Sequence, residues 1–243
     1  STPRGGSEPV EAFAWSPDSK HLAVYSQGAG VRLVGPDGTL EKELAPATAY
    51  TAYGGITWTF DSKYVIVSAA GEGFRNLSLY SHEVANRAIR NLTPNNAGDN
   101  YAPVFAPSQP RLVFVTNRSG FTQVYVLNTA GVTGVEVPLT SGIGGNEQPS
   151  WSPKGDKIVF VNGNDGNRDI YVMNADGTNQ TQLTKDPGDD ASPVWSPDGT
   201  KIAWVTDRTG NREVYVMDAD TGSNPVNVSA NPAIDRNPGW APR

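Results

Sequence analysis

The chain has no cysteine, so it offers no disulfide, no thiolate nucleophile and no zinc–sulfur site, and its fold rests on packing alone. Histidine is nearly absent, with only His21 and His82 in 243 residues, which leaves too few ligands for a histidine-built metal site. Charge is also sparse. Asp, Glu, Lys and Arg make up 18% of the residues, the net charge is −6, and no Lys/Arg cluster interrupts the sequence. Nucleic acid is therefore excluded as a partner, because phosphate recognition needs a basic face. No apolar run approaches the roughly 18 residues required to cross a bilayer, so membrane insertion is excluded too. The opening STPRGGSEP reads as a mature terminus or an excised domain, not as a translation start.

Glycine (26), proline (19), asparagine and aspartate are plentiful, and they recur on a period. Aligning on the aromatic of W-S-P-D/K gives Trp15, Trp58, Phe105, Trp151, Trp195 and Trp240, at spacings of 43, 47, 46, 44 and 45 residues. Five full repeats and the opening of a sixth result, at approximately 10–52, 53–99, 100–145, 146–189 and 190–234, with a closing segment at 235–243. Each repeat carries four strand signals in order. A short segment ends in the aromatic, and an alternating run follows, such as residues 201–206, 156–161 or 111–115. The third signal is residues 213–217, 169–173 or 123–127, and the fourth is a weaker outer strand such as 181–184 or 90–93. Only residues 81–90 are mildly compatible with helix, and that stretch places His82 in a connection. Pro and Asp-Gly after the aromatic build a tight turn, as at Asp198-Gly199.

Four short strands in a unit of about 45 residues are the pattern of an all-β fold, a β-propeller of four-stranded antiparallel blades in a single domain over residues 1–243. Five blades fit the repeat count; a six-bladed ring with its sixth blade incomplete is the alternative. The stretch SPVWSPDGTKIAWVTDRTGNREVYVMDAD resembles the repeat of TolB-type propellers, most sharply over residues 98–222 and least in the first repeat, where SQGAGVRLVGPDG replaces the DRxGN turn. The resemblance implies an extracytoplasmic location, periplasmic or secreted, and a surface that docks a partner. Nothing in the chain corresponds to the separate N-terminal α/β domain of the family's namesake.

Candidate function lies five residues before each aromatic, at Val10, Tyr53, Asn100, Asn146, Asp190 and Asp235. In a propeller these positions enter the innermost strand, so equivalents converge on one mouth of the central channel. Asn100, Asn146, Asp190 and Asp235, with their neighbours Glu147, Asp189 and Arg236 and the aromatic Tyr53, would form a rim. Convergent carboxylates and amides suit a peptide amine, a Lys or Arg side chain, a sugar hydroxyl or a cation. The competing reading is that Asn and Asp here cap strand ends. Calcium at Asp190 and Asp235 is a weak expectation, since the turns lack the spacing of a twelve-residue calcium loop. No cofactor is otherwise expected.

No nucleophile–base pair and no phosphate-binding loop is present: GEGF and GIGG are isolated turns with no helix after them. The expected function is thus a non-enzymatic binding module for a protein, peptide or polysaccharide partner. A structural subunit of a larger assembly is one alternative. The other is a five-bladed glycoside hydrolase using Asp190, Asp235 and Glu147 as acid and base.

Overall fold

A computed structural model describes residues 10–26, 28–71, 75–94, 97–129, 134–164 and 167–240. The GEGF turn beyond Gly71, residues 165–166 of the fourth-repeat hairpin, and the tip of the closing segment at 241–243 lie outside the described residues. No helix among the described residues is long and apolar enough to cross a membrane.

Five four-stranded antiparallel sheets follow one another, each with its strands in sequence order, as a five-bladed propeller requires. The fourth, for example, runs Gly145–Trp151, Lys157–Asn164, Asn167–Asn174 and Thr181–Gln182, and the fifth Ala191–Trp195, Lys201–Thr206, Glu213–Asp218 and Val226–Asn227. The chain divides into two compact units, residues 1–105 and 106–243. Residues 81–90, the helix-compatible stretch, belong instead to the strand Ser78–Glu83 and the turn leading to Ile89–Asn91. Pairing with Tyr64–Gly71 decides this, Tyr64 lying opposite Glu83 and Ala69 opposite Ser78; Leu79, Ser81 and His82 are buried and Tyr80 is half-buried against a neighbouring cluster.

The second strand of each sheet is apolar on both faces and forms the core. Phe114, Phe160 and Trp204 occupy one equivalent position and are fully buried. In the first unit the core gathers Ala23, Tyr25, Leu33, Trp58, Val65 and Val67; in the second it gathers Val159, Val161, Ile170, Trp195, Ile202 and Trp204. The repeated aromatics wedge successive blades together through a fixed hydrogen bond. Trp58 Nε1 donates to Ala14 O (2.8 Å), Trp195 Nε1 to Ser150 O (3.2 Å) and Trp240 Nε1 to Val194 O (3.3 Å). Trp58 and Trp195 are buried, whereas Trp15, with no preceding repeat among the described residues, is 52% exposed.

The Ser/Thr-Pro/Phe-Asp turns also repeat in atomic detail. Ser16, Thr59 and Ser196 hydroxyls donate to Asp18, Asp61 and Asp198 at 2.6 to 2.7 Å, and each turn passes through a left-handed residue. That residue is Gly199 (φ 73°) in the fifth blade but Ser19 (φ 60°) and Ser62 (φ 58°) in the first two.

Candidate functional site

The positions five residues before the aromatics are equivalent in backbone geometry. The amides of Asn100, Asn146, Asp190 and Asp235 donate to the carbonyls of Leu77, Thr122, Arg168 and Arg212, at 2.8 to 2.9 Å. Each bond ties the start of a first strand to the start of the preceding blade's third strand. Side chains complete the tie. Thr93, Thr140, Thr184 and Ser229, at the end of each fourth strand, accept the amides of Leu79, Val124, Ile170 and Val214 at 2.9 to 3.0 Å. Asn100 Nδ2 then donates to Thr93 Oγ1 (3.2 Å). Asn146 Nδ2 donates to Gln123 Oε1 (3.0 Å), which also accepts Thr140 Oγ1, and Asn162 donates back to Asn146 Oδ1 (2.9 Å). In the fifth blade Glu213 accepts the Ser229 hydroxyl, which holds its carboxyl below the ordinary range.

This polar clasp buries what sequence places on a rim. Asn100, Asn146 and Asp190 are at most 3% exposed. Asp190 Oδ1 accepts the Trp204 indole N–H at 3.0 Å, and Arg208 lies 3.3 Å away. Burial still pushes the Asp190 carboxyl up from its usual value, against the bonds from Thr184, Thr206 and Trp204 that lower it. Asp189 is gripped by Arg168 through two bonds, Nε to Oδ1 at 2.8 Å and NH2 to Oδ2 at 2.5 Å, with Arg212 3.4 Å away, and its amide is capped by Asp207 at 2.8 Å. Asp235 is half-buried and accepts from Asn231 Nδ2 at 3.0 Å; Arg236 is exposed. Tyr53 stacks on Tyr25 with ring centroids 4.0 Å apart, and burial raises its hydroxyl's pKa. Of the two residues named for calcium, Asp190 Oδ1 accepts from Trp204 and Arg208, and Asp235 Oδ2 accepts from Asn231. Among the described residues no group of three or more His, Cys, Asp or Glu is placed to hold a metal ion.

The arginine of the DRTGN turn is likewise structural. Arg208 Nε donates to Thr206 Oγ1 (3.2 Å), its guanidinium lies over Trp204 and Tyr215 at 5.2 and 4.9 Å, and it pairs with Asp186 at 2.6 Å. Arg118 repeats the arrangement in the third blade, with Thr116 at 3.1 Å, Phe114 and Tyr125 at 5.9 and 4.9 Å, and Glu136 at 2.5 Å. Neither histidine approaches these positions. His82 sits fully buried in a third strand, not in a connection, bonded to the Tyr50 hydroxyl at 2.8 Å; burial lowers its pKa to about 4. His21 Nδ1 lies 2.5 Å from Glu41 Oε2.

Two residues past the clasp, every first strand from the second blade onward bends through a left-handed residue: Gly55 (φ 140°), Ala102 (48°), Gln148 (52°), Ser192 (55°) and, in the closing segment, Asn237 (50°). Strand pairing slips at this point, between Tyr53 and Gly55, between Glu147 and Ser150, and between Ala191 and Val194. Such bulges re-aim the adjacent side chain. That residue is Glu147 in the fourth blade, where the other repeats have Gly54, Tyr101, Ala191 and Arg236. Glu147 is half-exposed and lines a pocket of about 280 Å³ with Gly120, Phe121, Thr122, Gly145, Val161, Gly163 and Arg168. Among the predicted residues, the structure thus separates Glu147, which faces a cavity, from Asn100, Asn146, Asp189 and Asp190, which are spent internally. Sequence reading missed Phe121, whose placement in a turn of the preceding blade beside an acid 26 residues away no local pattern signals.

The TolB beta propeller domain family matches residues 132–243. No curated protein matches the sequence. Among solved structures, TolB of Acinetobacter baumannii superposes with a TM-score of 0.74 at 22% identity, covering 95% of this chain and 56% of that one. A candidate TolB from Agrobacterium tumefaciens gives 0.71 at 23% identity, covering 91% and 81%. An oligogalacturonate lyase in complex with manganese gives 0.71 at 15% identity, covering 91% and 65%. Repeats, sheets and solved structures agree on a β-propeller fold for the chain, and its residues 132–243 match the TolB beta propeller domain.

Proposed function

We propose that the chain is a non-enzymatic binding module that holds a protein or peptide partner in an extracytoplasmic compartment, through the loop face around Glu147 and Phe121. The observation that carries the proposal is the division among the predicted acids. Asp189 and Asp190 are tied to Arg168, Arg208 and Trp204, while Glu147 has no hydrogen bond or ion pair among the described residues and opens onto a cavity. Paired carboxylates for glycoside hydrolysis need one raised acid and one free partner within reach of substrate. Asp190 is the raised acid, but it is fully buried and gives substrate no access. The compartment is argued from the family resemblance. The test is capture of native-host proteins by the wild-type chain and by a Phe121→Ala/Glu147→Lys double variant of matched stability. Loss of captured proteins with the variant supports the module. Identical capture, or hydrolysis of polysaccharides abolished by Glu147→Gln, refutes it.

A further inference from the structure

The geometry points to Glu147 and Phe121 as the receptor for one cationic side chain, lysine or arginine, of a peptide partner. This deepens the binding-module reading and rests on it. The cavity of about 280 Å³ lies at the low end of the roughly 300 to 1,000 Å³ typical of small-molecule sites, a size for a single side chain and not for an extended sugar.

Its charge is that of Glu147. Among the described residues that line it, the one other charged group, Arg168, is neutralised by two bonds to Asp189, with side-chain exposures of 14% and 5% for the pair. The described lining offers a ligand one carboxylate, the Thr122 hydroxyl and Phe121, which is 49% exposed; a carboxylate beside an aromatic ring is the combination that attracts a cation on a hydrocarbon stem.

The floor is held to backbone. A Cβ on Gly145 would stand 2.9 Å from Thr122 Oγ1 and 3.2 Å from the Gly163 carbonyl, and one on Gly163 (φ 132°) would meet Asn167 O at 2.5 Å. Side chains cannot fill the cavity from below, so it stays open to an incoming group. The bulge at Gln148 sets the angle of the carboxylate above it.

The probe is the blocked tripeptide acetyl-Gly-Lys-Gly-amide, with its norleucine isostere as the uncharged control and a neutral chito-oligosaccharide as the competitor class. Binding is read from the amide NMR shifts of Gly120, Gly145 and Gly163. Saturable shifts with lysine and not with norleucine, weakened about tenfold or more by Glu147→Gln and severalfold by Phe121→Leu, are the expected result. Equal shifts from norleucine, indifference to Glu147→Gln, or shifts produced by the oligosaccharide alone overturn it. The module reading fails separately: if the lysine peptide binds here but the double variant captures the same native proteins as wild type, the subsite stands and the partner docks elsewhere. If capture depends on Phe121 and Glu147 but the lysine peptide leaves the amides unmoved, the module stands and the cation assignment is wrong.

Discussion

Replacing Asp190 by alanine separates a clasp from a rim. In the clasp the carboxylate accepts the indole N–H of Trp204, which is fully buried and has no route to water. Its removal leaves that donor unpaired, at a cost of about 1 to 3 kcal/mol. The same change takes from Arg208 one of its two acidic partners and leaves Asp186 at 2.6 Å, so the arginine is weakened but not orphaned. Breaking a buried pair outright costs about 3 to 5 kcal/mol, and partial compensation places Asp190→Ala near 3 kcal/mol. Asp190→Asn keeps an oxygen for Trp204 and should cost about 1 kcal/mol at neutral pH. The pH dependence has a definite sign. Burial raises the folded-state pKa of Asp190, so its contribution is full below the ordinary value of 3.8 and is lost as pH rises through the shifted one. Asparagine does not titrate, so the gap between wild type and Asp190→Asn narrows from acid to neutral pH. Urea unfolding followed by tryptophan fluorescence reports the second unit, which holds Trp151, Trp195, Trp204 and Trp240. An Asp190→Ala variant within about 1 kcal/mol of wild type refutes the clasp and returns the residue to candidacy as a ligand group.

His82 supplies a second pH test. Its folded-state pKa of about 4 against 6.5 in the unfolded chain means stability is full above pH 6.5 and falls by about 3 kcal/mol as pH drops to 4, a loss that His82→Gln removes in matched urea titrations. Ser19→Gly relieves an exposed left-handed residue without removing a buried contact; a net gain of about 0.5 kcal/mol, after the entropy glycine adds to the unfolded chain, is expected in thermal melts. Trp195→Phe deletes the bond to Ser150 O while keeping most of the wedge and should cost about 1 kcal/mol, whereas Trp195→Ala should cost about 3 to 5; equal losses would mean that the indole bond is irrelevant.

The blades are legible in the sequence because their signals are local. Lys201 through Thr206 and Arg111 through Val115 alternate as strands do, and both are strands at almost those bounds. Residues 81–90 mislead because Glu83, Ala85, Arg87, Ala88 and Arg90 are good helix formers, and pairing of Ser78–Glu83 with Tyr64–Gly71 decides its state. The site is less legible for a different reason. An Asn or Asp at a strand entrance has the same composition whether it faces a ligand or a threonine. The distinguishing signal is six or seven residues upstream, where Leu92-Thr93, Leu139-Thr140, Leu183-Thr184 and Val228-Ser229 recur. Thr93 and Asn100 repeat as Thr140 and Asn146 because each pair belongs to one hydrogen-bond network, direct in the first case and through Gln123 in the second, whereas Glu147 falls at a position where the copies differ.

The clasp has a consequence for how this architecture can be altered. Thr140 and Asn146 lock their blades to each other by donating to the same buried oxygen, Gln123 Oε1, so the register there is held mostly by side chains outside the segment that links them. The link joins that network through Gly142, whose carbonyl accepts from Gln123 Nε2 at 3.1 Å, while Ile143 beside it is 89% exposed. It is a natural port for grafting: a foreign segment spliced between Thr140 and Asn146 inherits a fixed entry and exit beside the cavity, and new specificity can be written there without renegotiating the fold.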